Sequence, residues 1–254
     1  MTAYGDFLER KRITVDPAGF EPHGLNGALY PFQRDIVSWA CRKGRACVFA
    51  DCGMGKTIMQ LEWAEQVRRR TGGRVLIVAP LAVSAQTVRE GRRFGIDVMR
   101  CRDASGMGDG ISITNYEMLH RFEDAEISGV VLDESSILKS CSGKTRNQII
   151  SMFSGVPFKL ACTATPSPND YMELGNHAEF AGAMTRCSRT SYGTFLGREI
   201  LRDARGWCYA EPIGLRGDGD PVHGPRVIVR VPDPEGRGIA AAIDAIRAQV
   251  LMGG

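Results

Sequence analysis

The stretch Ala50-Asp51-Cys52-Gly53-Met54-Gly55-Lys56-Thr57 constrains the fold of this chain more than any other. An apolar run, Ala46-Cys47-Val48-Phe49, leads into it, and a helix-compatible run from Ile58 to Arg70 follows. The order is strand, glycine-bearing loop, helix. A loop of this kind lines its inner surface with backbone N–H groups at a helix N-terminus, where phosphate oxygens bind. Glycines let the backbone approach without a Cβ in the way. Lys56 is expected to reach the β- and γ-phosphates of a triphosphate, and Thr57 to offer its hydroxyl to Mg²⁺. Ala50 stands where the commonest pattern has glycine, so the motif reads AxxGxGKT.

The rest of the chain supplies the sheet that such a loop requires. Strand-like runs recur at 46–50, 75–79, 111–114, 129–132 and 158–162. Helical segments alternate with them at 31–43, 57–70, 82–94, about 115–121, 144–153 and about 169–180. Alternation with continuous apolar strands predicts an α/β fold, a mainly parallel sheet covered on both faces in three layers. Residues 1–28 read as an irregular lead-in, and 29–186 as the α/β lobe. From 187 to 254 there are eleven glycines and no lysine, with turn-like Gly-Asp-Gly-Asp-Pro and Pro-Asp-Pro-Glu-Gly. A β-prone run, Val227 to Val231, and a helix from about Ile239 to Leu251 are expected there. This Gly/Arg-rich tail is expected to be atypical, either shortened or read out of frame.

Composition narrows the class. With 254 residues the chain holds one large α/β domain, or one domain with an appendage. The net charge of +3 does not announce nucleic-acid binding, which would have to come from local patches. Eight cysteines form no CxxC pair and no Cys/His cluster with metal-ligand spacing, which fits a reducing cytoplasm. No apolar stretch is long enough to span a membrane, and the cytoplasm is the expected location.

Downstream of the loop, Val130-Val131-Leu132-Asp133-Glu134 is an apolar strand ending in two acids. Magnesium favours carboxylate and water oxygens. Asp133 is the expected Mg²⁺ partner, and Glu134 the candidate for orienting and deprotonating an attacking water. Leu160-Ala161-Cys162-Thr163-Ala164-Thr165-Pro166 is a second strand end. Its hydroxyls, Thr163 and Thr165, are candidates for sensing the γ-phosphate and passing its state to a neighbouring site.

Together these segments resemble the first RecA-like lobe of superfamily 2 helicases, and most of all Snf2-type double-stranded DNA translocases and related phage helicases of the DEAD/DEAH kind. Tyr30-Pro31-Phe32-Gln33 resembles the region where that family reads adenine, which implies Phe32 and Gln33 at the base of ATP. Ala50 to Thr57 resembles the family's phosphate loop, with Gly53, Met54, Gly55, Lys56 and Thr57 around ATP and Mg²⁺. Ile77-Val78-Ala79-Pro80-Leu81 and Ile113-Thr114-Asn115-Tyr116-Glu117 are similar to segments that touch the nucleic-acid backbone. They imply Pro80, Ser84, Thr114 and Asn115 as contacts. Asp133-Glu134-Ser135-Ser136 and Thr163-Ala164-Thr165-Pro166 match the remaining two motifs, and all occur in family order over 29–170. Ser135 and Ser136 stand where the family has alanine plus histidine or aspartate. Arg68-Arg69-Arg70 and Arg92-Arg93 offer charge, although a solvated helix face is the plainer reading.

Full members of that family carry a second RecA-like lobe whose arginines complete the ATP site. The 84 residues after Asp170 are too few for one. The expected activity is therefore ATP binding with weak hydrolysis at best, with nucleic acid, mainly double-stranded DNA, and a second lobe or helicase partner as the implied associates. Two other readings stay open on the residues alone. One is a non-catalytic nucleic-acid or partner-binding module. The other is a P-loop kinase of small molecules.

Overall fold

The computed structural model describes residues 19–139, 143–166 and 172–182, together with the backbone of 227–228. Helix α1 (Pro31–Lys43) opens on a proline, whose fixed φ suits the first helical turn. The Gln33 side chain reaches back to accept from the Tyr30 N–H at 2.9 Å, satisfying one of the donors a helix start leaves bare. Gly44, at φ 71°, ends α1 by donating to the Ala40 and Cys41 carbonyls. Strand β1 (Arg45–Phe49), the phosphate-type loop, helix α2 (Lys56–Thr71), strand β2 (Val75–Ala79) and helix α3 (Leu81–Arg93) follow. Then come β3 (Val98–Arg100), β4 (Ile111–Asn115) and β5 (Gly129–Asp133), next α4 (Lys144–Met152), β6 (Phe158–Thr163) and α5 (Met172–Phe180).

The strands lie in the order β3-β4-β2-β5-β6-β1, and every pairing is parallel. A two-residue strand, β7 (Val227–Ile228), adds to the β1 edge opposite Cys47 and Val48. Successive strand residues point to opposite faces. Val48, Ile77, Ile113, Val131 and Leu160 meet α1, α2 and α3 in one core. Cys47, Leu76, Val78, Leu132 and Ala161 meet Tyr116, Leu119, Ile149, Leu174 and Phe180 in the other. The result is the three-layer α/β fold expected from the alternation of elements, with continuous apolar strands buried on both sides.

Some elements differ from expectation for local reasons. β3 is a three-residue edge strand with only Val98 buried, too short to leave a pattern in sequence. The helix expected at about 115–121 is a 3-10 helix, Tyr116–Phe122, started by the Asn115 side chain accepting from the Met118 N–H at 3.0 Å. The described part of the lead-in is irregular but docked. Phe20 stacks edge-on against Phe158 with centroids 5.5 Å apart, and His23 exchanges backbone bonds with the Gln66 amide at 3.1 and 3.0 Å. Apart from 227–228, the expectations for the tail fall outside the described residues.

Register decides where chemistry can occur. Phe49 lies opposite Thr163, and Cys162 opposite Asp133. The tips of β1, β6 and β5 therefore end level, side by side. The loop that follows β1, the acids that end β5 and the hydroxyl that ends β6 share one edge of the sheet.

Candidate functional site

The loop between β1 and α2 takes its shape from its glycines. Gly53 and Gly55 have φ of 86° and 76°, a region that side chains disfavour. A Cβ at Gly55 would lie 2.3 Å from the Gln33 amide nitrogen. That nitrogen donates to the Met54 carbonyl at 3.0 Å, so α1 braces the loop through one side chain. Lys56 turns its ammonium onto the Ala50 and Asp51 carbonyls at 2.9 and 3.3 Å. The Ala50 N–H bonds the Thr163 carbonyl at 3.1 Å, tying the loop's start to the tip of β6.

Asp133 is 7% exposed, and its Oδ1 accepts from the Gln60 amide at 2.8 Å. Burial pushes its carboxyl above the usual value, the Gln60 N–H opposes that shift, and the neighbouring Glu134 charge adds to it. The Asp133 carbonyl accepts from the buried Tyr116 hydroxyl at 2.7 Å. Burial and the two nearby carboxylates push the Tyr116 phenol up, so it stays a donor. Glu134 has φ 56°. Its Oε1 accepts from the Thr163 hydroxyl at 2.8 Å and the Ser136 hydroxyl at 3.3 Å. Thr163 Oγ1 in turn accepts from the Thr165 N–H at 3.1 Å. The two sequence-predicted acids and the predicted coupling threonine thus form one connected group.

Sequence reasoning missed the groups behind this cluster. Ser135 is fully buried, and its hydroxyl lies 3.1 Å from His177 Nε2 on α5. His177 Nδ1 lies 3.4 Å from the Glu173 carbonyl, and the ring tautomer sets which nitrogen donates. Burial lowers the His177 pKa to about 4 and keeps the ring neutral. The Asn176 amide holds the Leu138 and Lys139 carbonyls at 2.7 and 3.1 Å. Gln60 and Tyr116 were equally invisible, because a lone polar residue in an apolar pattern carries no directional signal.

Several expected contacts are engaged elsewhere. Phe32 is 1% exposed and stacks beneath Tyr30, so its ring is core and Tyr30 is the aromatic at the surface. Ser84 is 3% exposed and turns its hydroxyl back to the Pro80 carbonyl at 3.3 Å. Thr114, 4% exposed, is sealed in the sheet, and Asn115 caps the 3-10 helix. The Ser84 and Thr114 side chains are buried and not presented at the surface, which corrects their expected role, whereas Asn115 is half-buried. Pro80 and Asn115 do end neighbouring strands, with Ala79 opposite Asn115. Arg68 and Arg69 chelate Glu65 at 2.7 Å in the last turns of α2, far from the loop that starts it.

The donor set suits a magnesium-bound triphosphate. It combines glycine-shaped backbone amides, a lysine and a buried carboxylate at one sheet edge. Among the described residues no three His, Cys, Asp or Glu side chains cluster as a metal cage. Magnesium is commonly held by one or two carboxylates together with phosphates and water. A separate cleft of about 530 Å³, lined by Gly72, Arg74, Asp109, Phe122, Glu126 and Val156, opens at the other end of the strands. Ligands of open α/β sheets gather at the carboxyl ends instead.

Comparison with known proteins agrees at the level of fold. No protein-family model matches the chain. Protein p41 of Acyrthosiphon pisum secondary endosymbiont phage 1 is 27% identical over 214 residues, covering 73% of this chain and 46% of that protein. The SWI2/SNF2 ATPase core domain of Sulfolobus solfataricus superposes with a TM-score of 0.59 at 19% identity, over 74% of this chain and 42% of that one. The UvsW helicase of bacteriophage T4 gives 0.48 at 15% identity, over 71% of this chain and 64% of that one. The chain spans less than half the length of the phage protein and of the Sulfolobus core. The three-layer α/β fold is the one that the Sulfolobus SWI2/SNF2 ATPase core domain also has. Among the described residues no helix is long and apolar enough to cross a membrane.

Proposed function

We propose that this chain is the ATP-binding lobe of a Snf2-like or phage-type translocase that works on nucleic acid, most of all double-stranded DNA. Lys56 and the amides of 53–57 would hold the phosphates, and Thr57 and Asp133 would hold Mg²⁺. Bound Mg²⁺ would neutralise charge on the β- and γ-phosphate oxygens. Glu134 orients the attacking water and accepts its proton. Thr163 and Thr165 report the state of that carboxylate to the rest of the lobe. Gln33 is 3% exposed and bonded to Tyr30 and Met54, so its assigned part at the adenine end is to brace the loop. The nucleic-acid backbone is assigned to the first turn of α3, after Pro80, and to the neighbouring Asn115 segment, by backbone groups instead of hydroxyls. Completion of the ATP site by arginines belongs to a second lobe, in the same or another chain.

The observation that carries this reading is the alignment of three strand tips. Phe49 lies beside Thr163, and Thr163 bonds Glu134 at 2.8 Å. ATP turnover with and without duplex DNA tests the proposal. Turnover that is weak in this chain alone and disappears in Glu134→Gln supports it, whereas robust DNA-stimulated turnover by this chain alone would refute the requirement for a second lobe. Phosphoryl transfer to a small-molecule acceptor, with no response to DNA, contradicts it.

A further inference from the structure

We propose that Gln60 is the positioning residue of the metal site, fixing Asp133 so that one carboxylate oxygen faces the bound Mg²⁺; this rests on the nucleotide reading above. Four polar side chains of α2 are buried: Gln60, Glu62, Glu65 and Gln66. Three of them find partners on their own helix or the lead-in. Glu62 takes the Gln66 amide at 2.8 Å, Glu65 takes Arg68 and Arg69 at 2.7 Å, and Gln66 joins His23. Gln60 alone crosses to the sheet, donating to Asp133 Oδ1 at 2.8 Å.

The bond is held at a disadvantage. Gln60 is 1% exposed, and its Oε1 is buried without a partner among the described residues. A buried acceptor left unmet is costly. Methionine has a similar shape and would bury no such oxygen. What glutamine adds at this position is one N–H directed at Asp133. A carboxylate can accept several bonds, so fixing Oδ1 leaves the second oxygen for metal or metal-bound water. Helix periodicity explains how one turn serves the whole site. Gln60 lies three residues after Thr57 and four after Lys56, so it is a helix-surface neighbour of each.

The test is the Mg²⁺ dependence of nucleotide binding, with the slowly hydrolysed analogue AMP-PNP and the full chain. Gln60→Ala and the shape-preserving Gln60→Met are compared with wild type, and thermal melting confirms that each is folded. Loss of an outer partner of a metal ligand typically costs 10–100-fold in metal affinity. The Mg²⁺ concentration for half-maximal AMP-PNP binding should rise by roughly that factor, while binding in EDTA stays within about 2-fold of wild type. An unchanged Mg²⁺ requirement in folded Gln60→Met overturns the assignment. So does an equal loss of binding in EDTA, which would make Gln60 a support of the loop. A wild-type chain that binds no AMP-PNP with or without Mg²⁺ overturns the nucleotide reading itself, a separate outcome.

Discussion

Glu134 carries positive φ, 56°, where among the described residues every other such position is glycine. A left-handed non-glycine residue costs on the order of 1–3 kcal/mol and persists only where its surroundings over-determine it. Here they do. Tyr116 fixes the carbonyl before it, His177 fixes the serine after it, and Thr163 fixes its carboxylate. The twist directs the side chain along the strand tips toward the loop after β1. Glu134→Gln should keep nucleotide affinity and lose residual hydrolysis, read by calorimetry and by phosphate release. Unchanged turnover would remove Glu134 from its role. Gly55→Ala should do the opposite. Its Cβ would meet the Gln33 amide at 2.3 Å in a φ that alanine disfavours, so nucleotide binding should fall by about 10-fold or more, without loss of the fold. At this scale the sequence was legible where spacing encodes a backbone shape, as at Gly53, Gly55 and Lys56. It misled where a hydroxyl of suitable type, at Ser84 or Thr114, was turned inward by its own helix or strand. A residue type names a chemistry, whereas its direction depends on tertiary packing.

At the scale of elements, α5 is the support that pattern reading did not reveal. It presents His177 to Ser135, Asn176 to the Leu138 and Lys139 carbonyls, and Glu179 to the buried Arg146 of α4. The Phe49 ring packs edge-on against His177 with centroids 5.1 Å apart, so β1 and α5 are coupled as well. The periodicity of 172–180 predicts a helix but not which polar residues it buries. Two predictions belong here. His177 has a pKa of about 4 in the fold against 6.5 when unperturbed. Below about pH 6.5 the unfolded chain takes up a proton that the folded chain refuses until about pH 4, so this residue lowers stability as pH falls through that window, by roughly 3 kcal/mol at its lower end. Asp133, raised by burial, acts with the opposite sign, because its protonation relieves the fold as pH falls. His177→Gln, whose amide can donate to or accept from Ser135, should therefore flatten the fall in denaturation midpoint between pH 6.5 and 4. A variant that tracks wild type across that range would refute the buried neutral ring. Arg146 is 2% exposed, and Arg146→Ala, which leaves Glu179 short of its cation, should destabilise by about 3–5 kcal/mol in urea.

For the whole molecule, the parallel sheet concentrates function at one edge. The apolar strands made the fold class legible, and the two halves of the sheet could be ordered only once β6 was seen between β1 and β5. That insertion brings Thr163 between loop and acids, a fact no spacing along the chain contains. The proposed coupling to nucleic acid belongs at this scale too. Backbone contacts of the kind assigned to the Pro80 and Asn115 segments grip phosphate, so any binding of duplex DNA should weaken steeply with salt and show little sequence preference. Equal affinity at low and high salt would argue against that surface. The central claim is that the glycine-shaped bend and the acids after β5 form one site for a magnesium-bound nucleotide. Titrating Mg²⁺-ATP calorimetrically into the chain and into Lys56→Ala tests it most directly. Saturable one-to-one binding by wild type, weakened about 10–100-fold in the variant as phosphate loses its charged donor, is the predicted result. No binding by wild type, or binding indifferent to Lys56, would contradict it.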